Sequence, residues 1–187
     1  MGLYKGGCTL IKKVYQVRVN MKTQFHISSG VMESGFIKNY IVKKNHTAYI
    51  PASTIKGKVR NNFKMLLGTK MEEQEVERIV SLIFGGEGYQ PAKIYFEDLM
   101  PEKQTDVSIR YGVAIDRYKR VFKDQALYNY EVAETGEYSG KVLIYFDDIS
   151  IQYEEDLKMA FLMVNAIGKG RSRGLGHCKT SIEEAVS

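Results

Sequence analysis

The order in which the apolar periodicity changes along this chain limits its fold more than any other feature. From Val14 to Asn20 apolar and polar residues alternate with a period of two, the pattern of a half-buried strand. The spacing then switches, and Ile55, Val59, Phe63, Leu66 and Leu67 recur at helical intervals between Ser53, a good N-cap, and Gly68, a helix terminator. Residues 93–98 and 141–147 read as strands, 154–167 as a helix and 177–182 as a last strand. In sequence these segments spell βαββαβ, the ferredoxin-like α+β order, in which two helices cover one face of a four-stranded antiparallel sheet. An additional helix over 72–84 fits a structural role. A chain of 187 residues suits a single domain over 1–187, with insertions at about 26–50 and 105–140.

Charge divides the chain unevenly. Residues 1–70 hold thirteen Lys or Arg and one acid, Glu33, a net of +12, whereas residues 71–187 hold fourteen bases and twenty-one acids, a net of −7. A basic first third predicts a phosphate-neutralising track on one face. Within it, Ser53, Lys56 and Arg60 share one side of the first helix, whose opening turn offers unpaired amides and the positive end of the dipole to an anion. Gly57 sits in that turn, where an ordinary surface helix prefers alanine, so a close approach by a ligand or another backbone is expected there. From Gly168 to Gly176, four glycines interleave with Lys169, Arg171 and Arg173. Glycine lets backbone approach a ligand and adopt positive φ, and the cations suit a polyanion, so this loop predicts nucleic-acid contact.

The stretch from Tyr49 to Arg60, YIPASTIKGKVR, resembles the "IPGSSLKGxxR" block of the RAMP superfamily, the backbone subunits of type III CRISPR effector complexes. The glycine loop is similar to that family's C-terminal motif, Leu82 to Gly86 to its "LFG", and Ile115 to Arg117 to its "IDR". The four matches fall in family order across nearly the whole chain, and Ala52 replaces a common glycine. The resemblance implies a subunit that stacks head to tail along CRISPR RNA and presents it for pairing with a complementary target RNA. Its partners would then be copies of itself and other effector subunits. Ser53, Lys56, Arg60, Lys169, Arg171 and Arg173 would hold guide phosphates, and His26, near the end of the first strand, would lie close to RNA. The insertion at 105–140 would be a thumb-like hairpin, with Tyr118, Val121 or Phe122 as wedges between base pairs.

Cleaving members of this family carry an aspartate where this chain has Lys38. A protonated lysine is neither a general base nor a metal ligand near neutral pH, so binding without cutting is expected unless Glu33 substitutes. Two rival readings are a CRISPR RNA processing endoribonuclease of the same superfamily with a histidine base, and a subunit that caps one end of the filament. No cofactor or metal site is indicated, since Cys8 and Cys178 lack paired spacing and His46 and His177 read as structural. No apolar run is long enough to span a bilayer and the start lacks an export signal, so a cytoplasmic protein with reduced thiols is expected.

Overall fold

The computed structural model describes residues 10–30, 39–88, 90–115 and 122–185. In chain order the elements are β1 (Ile11–Met21), β2 (Lys43–Lys44), β3 (Thr47–Ala48), α1 (Ala52–Gly68), α2 (Glu73–Phe84), β4 (Ile94–Phe96), β5 (Met100–Pro101), β6 (Val107–Ile115), β7 (Phe122–Ala133), β8 (Gly136–Phe146), α3 (Glu154–Leu162) and β9 (Cys178–Glu184). The main sheet runs β4-β8-β1-β9 with every neighbour antiparallel, and β5 extends along β8. Taking β1, α1, β4, β8, α3 and β9 as the six core elements, this is the ferredoxin-like arrangement.

Alternation decides which face of the sheet is covered. Tyr15, Val17, Val19 and Met21 of β1 and Tyr138, Val142, Ile144 and Phe146 of β8 are buried. They meet Ile55, Val59, Phe63 and Leu67 of α1 and Leu157, Ala160 and Phe161 of α3 in one core. Each large aliphatic or aromatic side chain so buried contributes roughly 1.5–3 kcal/mol. On the opposite face Arg18 is tied to Glu183 at 2.8 Å and lies 3.9 Å from Glu137.

Two boundaries differ from the sequence reading. β8 starts at Gly136 rather than 141, because residues 136–140 pair with β1, Gly136 opposite Met21 and Gly140 opposite Val17. Gly140 is required there, since an added Cβ would lie 2.8 Å from the Leu99 side chain and 2.9 Å from the Asp98 carbonyl. α3 stops at Leu162 rather than 167. Beyond it, Cys178 N–H donates to Asn165 O and Thr180 Oγ1 donates to Val164 O, so the chain is extended against the start of β9.

The loop excursion in the N-terminal half is stitched down where it is described. Val42 N–H donates to Ile27 O at 2.8 Å, Glu131 N–H to Asn39 O at 3.0 Å, and Ile50 and Leu99 exchange two bonds. β6 and β7 form the inserted hairpin, whose base pairs with the chain after β1 through Phe25 and Ala133.

Candidate nucleic-acid interface

Helix α1 begins two residues earlier than its sequence suggests. Pro51 occupies the N-cap position and offers no side-chain cap of its own, so Ser53 lies inside the first turn rather than before it. The cap comes from elsewhere: Asp98 Oδ1 accepts from Ala52 N–H at 3.0 Å while its other oxygen pairs with Lys44 at 3.1 Å. That amide bond, helped by Lys44, holds the Asp98 carboxyl below its ordinary range. A carboxylate therefore already occupies part of the expected phosphate site, and the open part of the helix start is the exposed side bearing Ser53, with Gly57 on the following turn rather than in the first. An added Cβ at Gly57 would meet no described atom within 4 Å, so no backbone among the described residues explains the glycine.

Folding also sorts the basic residues. Lys13 pairs with Glu154, Arg18 with Glu183, Lys43 with Glu131, Lys44 with Asp98, Lys64 with Glu77 and Lys70 with Asp156. Six of the thirteen bases in the first third are thus paired with acids from the later part. Among the described residues, Lys56, Lys58 and Arg60 of α1 make no ion pair, and neither do Lys169 and Arg171. The half-buried Lys58 has its ammonium pKa lowered, first by burial and then by Arg171. Lys58 of α1 and Arg171 of the glycine loop are therefore close enough to feel each other's charge. Lys58 is a site residue that sequence reasoning missed, because its neighbour is more than a hundred residues away and no local pattern marks it.

The glycines of the C-terminal loop serve the loop's own packing before they serve a ligand. An added Cβ at Gly168, with φ +82°, would sit 2.3 Å from His26 O, and one at Gly176, with φ +76°, would sit 1.9 Å from Ile167 O. Lys169 N–H donates to that His26 carbonyl at 2.9 Å, and Gly176 N–H to Gln24 O at 2.8 Å. Gly170 and Gly174, both left-handed, bracket a single 3-10 turn at Arg171–Arg173. The result is a pinned turn that presents Lys169, Arg171 and Arg173 to solvent.

Below this turn lies a cleft of about 240 Å³ lined by His26, Asn39, Tyr130, Lys169, Arg173 and Leu175. His26 is 3 % exposed, its Nδ1 is 2.7 Å from Glu131 O, and its ring meets Tyr130 edge-on at 5.6 Å. Because a carbonyl only accepts, Nδ1 carries the proton in this bond. Burial lowers the imidazole pKa, the Glu131 bond opposes the shift and Lys169 adds to it. A neutral ring with Nδ1 so committed leaves Nε2 as an acceptor. A larger cleft of about 480 Å³ lies against α2 and β4 among Leu82, Ala92, Tyr95, Tyr145 and Ile149, and holds none of the predicted site residues.

The superfamily model for RAMPs matches residues 18–179, from the last part of β1 to the start of β9. The chain belongs to the RAMP superfamily. No curated protein matches this RAMP chain in sequence. Among solved structures, a chain of the type III-B Cmr-beta apo state determined by cryo-EM superposes with a TM-score of 0.72 at 10 % identity, covering 92 % of this chain and 97 % of that one.

Several expected features of a RAMP protein fall outside the described residues, namely Glu33, Lys38, Cys8, Tyr118 and Val121. Phe122 opens β7 opposite Ile115. Cys178 is buried, which pushes its thiol up to about 11 and suits a structural role. Among the described residues, no cluster of His, Cys, Asp and Glu could hold a metal and no helix is long and apolar enough to cross a membrane.

Proposed function

We propose that this RAMP protein is a CRISPR RNA-binding backbone subunit of a cytoplasmic type III effector complex. It stacks with copies of itself and other effector subunits along the guide and presents the guide to complementary target RNA without cutting it. The observation that carries this reading is a group of cations that no acid holds: among the described residues Lys56 and Arg60 on α1 and Lys169 and Arg171 on the adjoining glycine loop make no ion pair, whereas Lys13, Arg18, Lys43, Lys44, Lys64 and Lys70 do. Such cations suit a phosphate backbone, and the likeness to a type III-B chain supports the assembly. Sequence would then be read by base pairing, and a β6–β7 thumb would cross the duplex with Tyr118, Val121 or Phe122 as its wedge.

Reversing Lys56, Arg60 and Arg171 together to Glu should weaken guide RNA binding strongly and flatten its dependence on salt. Unchanged affinity and unchanged salt slope would refute the reading. Reconstitution with guide and matched target tests the absence of cleavage: wild type should leave the target intact, and regularly spaced cuts by Lys38→Asp would support the aspartate alignment.

A second reading, a processing endoribonuclease, is favoured by the neutral His26 beside Lys169 and Arg173, a base next to phosphate-binding cations. Site-specific scission of repeat RNA by wild type, abolished in His26→Ala, would establish it instead.

A further inference from the structure

The 240 Å³ cleft combines an acceptor and two cations in a way that selects its occupant. His26 Nδ1 donates to Glu131 O at 2.7 Å, which leaves Nε2 as the acceptor of a ring that lines the cleft. Lys169 and Arg173 line the same cleft. A phosphate oxygen against Nε2 would bring two acceptors together, and a metal ion there would be repelled by both cations. What fits is a hydrogen-bond donor attached next to an anion. In a nucleic-acid strand the donor nearest a phosphate is the ribose 2′-hydroxyl, which DNA lacks.

We propose that this cleft reads the sugar: one nucleotide of the bound strand places its phosphate at Lys169 and Arg173 and donates its 2′-hydroxyl to His26 Nε2. Burial of the ring supports this by disfavouring the imidazolium, which would have no lone pair to offer. A deoxyribose in the same place leaves Nε2 covered and unpaired, which is what makes the cleft discriminate. Tyr130, edge-on to His26, bounds the sugar on the side of β7. The inference rests on the strand-binding reading above and adds to it a chemical reason for choosing RNA over DNA.

The test uses the full chain and a labelled single-stranded RNA of mixed sequence, with 2′-fluoro replacing the hydroxyl one nucleotide at a time. Fluorine preserves the ribose pucker and removes only the donor. At one position per bound footprint the affinity should fall about three- to tenfold, the worth of one hydrogen bond. In His26→Asn the amide nitrogen reproduces the bond to Glu131 while nothing occupies the Nε2 position, so sensitivity at that nucleotide should vanish while salt-dependent binding remains. Should that variant fail to fold, the nucleotide walk on wild type decides alone. Wild type that binds RNA and uniformly 2′-fluoro RNA equally overturns the sugar reading and leaves strand binding standing. Dependence on the base rather than the sugar at that position also overturns it, and failure to bind any strand removes both proposals.

Discussion

Replacing Gly57 with alanine separates stability from binding in one substitution. Gly57 is exposed in the interior of the 17-residue helix α1, and a Cβ built there meets nothing within 4 Å. Alanine therefore incurs no steric cost from the described chain and gains the usual helix-interior preference over glycine, about 1 kcal/mol. For a domain of this size that corresponds to a rise in melting temperature of roughly 2–4 °C. If α1 receives an RNA backbone beside Lys56 and Arg60, the same methyl stands in its path, and affinity for guide RNA should fall as the protein becomes more stable. Differential scanning fluorimetry and fluorescence anisotropy on the same preparation read both effects. A variant that melts higher and binds as well as wild type would refute the close approach at this face. One that melts lower would refute the open surroundings from which the magnitude was worked.

Glycines of the C-terminal loop should divide by their surroundings. Gly168→Ala, with its Cβ 2.3 Å from His26 O, should displace the turn and cost well over the roughly 1–2 kcal/mol of a left-handed residue, lowering both melting temperature and RNA affinity, whereas Gly174→Ala, with open space at φ +80°, should show only the backbone cost and bind normally. Acid stability should depend on Glu154: burial would raise its carboxyl, but bonds from Lys13, Lys158 and Tyr15 outweigh burial and hold it at about 2. A depressed carboxyl contributes stability that is present above its ordinary value of 4.5 and lost as pH falls toward 2, so Glu154→Gln should lower the neutral-pH melting temperature and flatten its decline across that window.

The six core elements were legible because periodicity is local: Val14 to Asn20 announces a strand and the Ile55-to-Leu67 stripe a helix without reference to anything distant. Their ends were not. Gly136 and Gly140 look like turn residues until β1 and the Asp98–Leu99 backbone are beside them, and residues 163–167 keep a helical spacing although β9 draws them into extended pairing. At the site the residue types were readable and the pairings were not. Lys43 and Lys44 look equivalent to Lys56 in sequence, yet Glu131 and Asp98, far along the chain, remove them from any phosphate track. Lys58, Asn39 and Tyr130 carried no signal at all, since each acquires its place only when the N-terminal excursion, the hairpin and the C-terminal loop converge.

That convergence bears on how the site performs. His26 is held from two sides, its backbone carbonyl by Lys169 N–H and its ring by the Glu131 carbonyl at the base of the inserted hairpin. Glu131 in turn accepts from Ile41 N–H and Lys43, which ties the excursion to the same point. The cations of the loop, the acceptor in the cleft and the root of the hairpin are therefore parts of one braced unit rather than three flexible attachments. A braced site loses little conformational freedom when a strand enters it, so even a few contacts can give useful affinity. The glycines that first suggested a pliable ligand-binding loop matter because they let that loop be pinned.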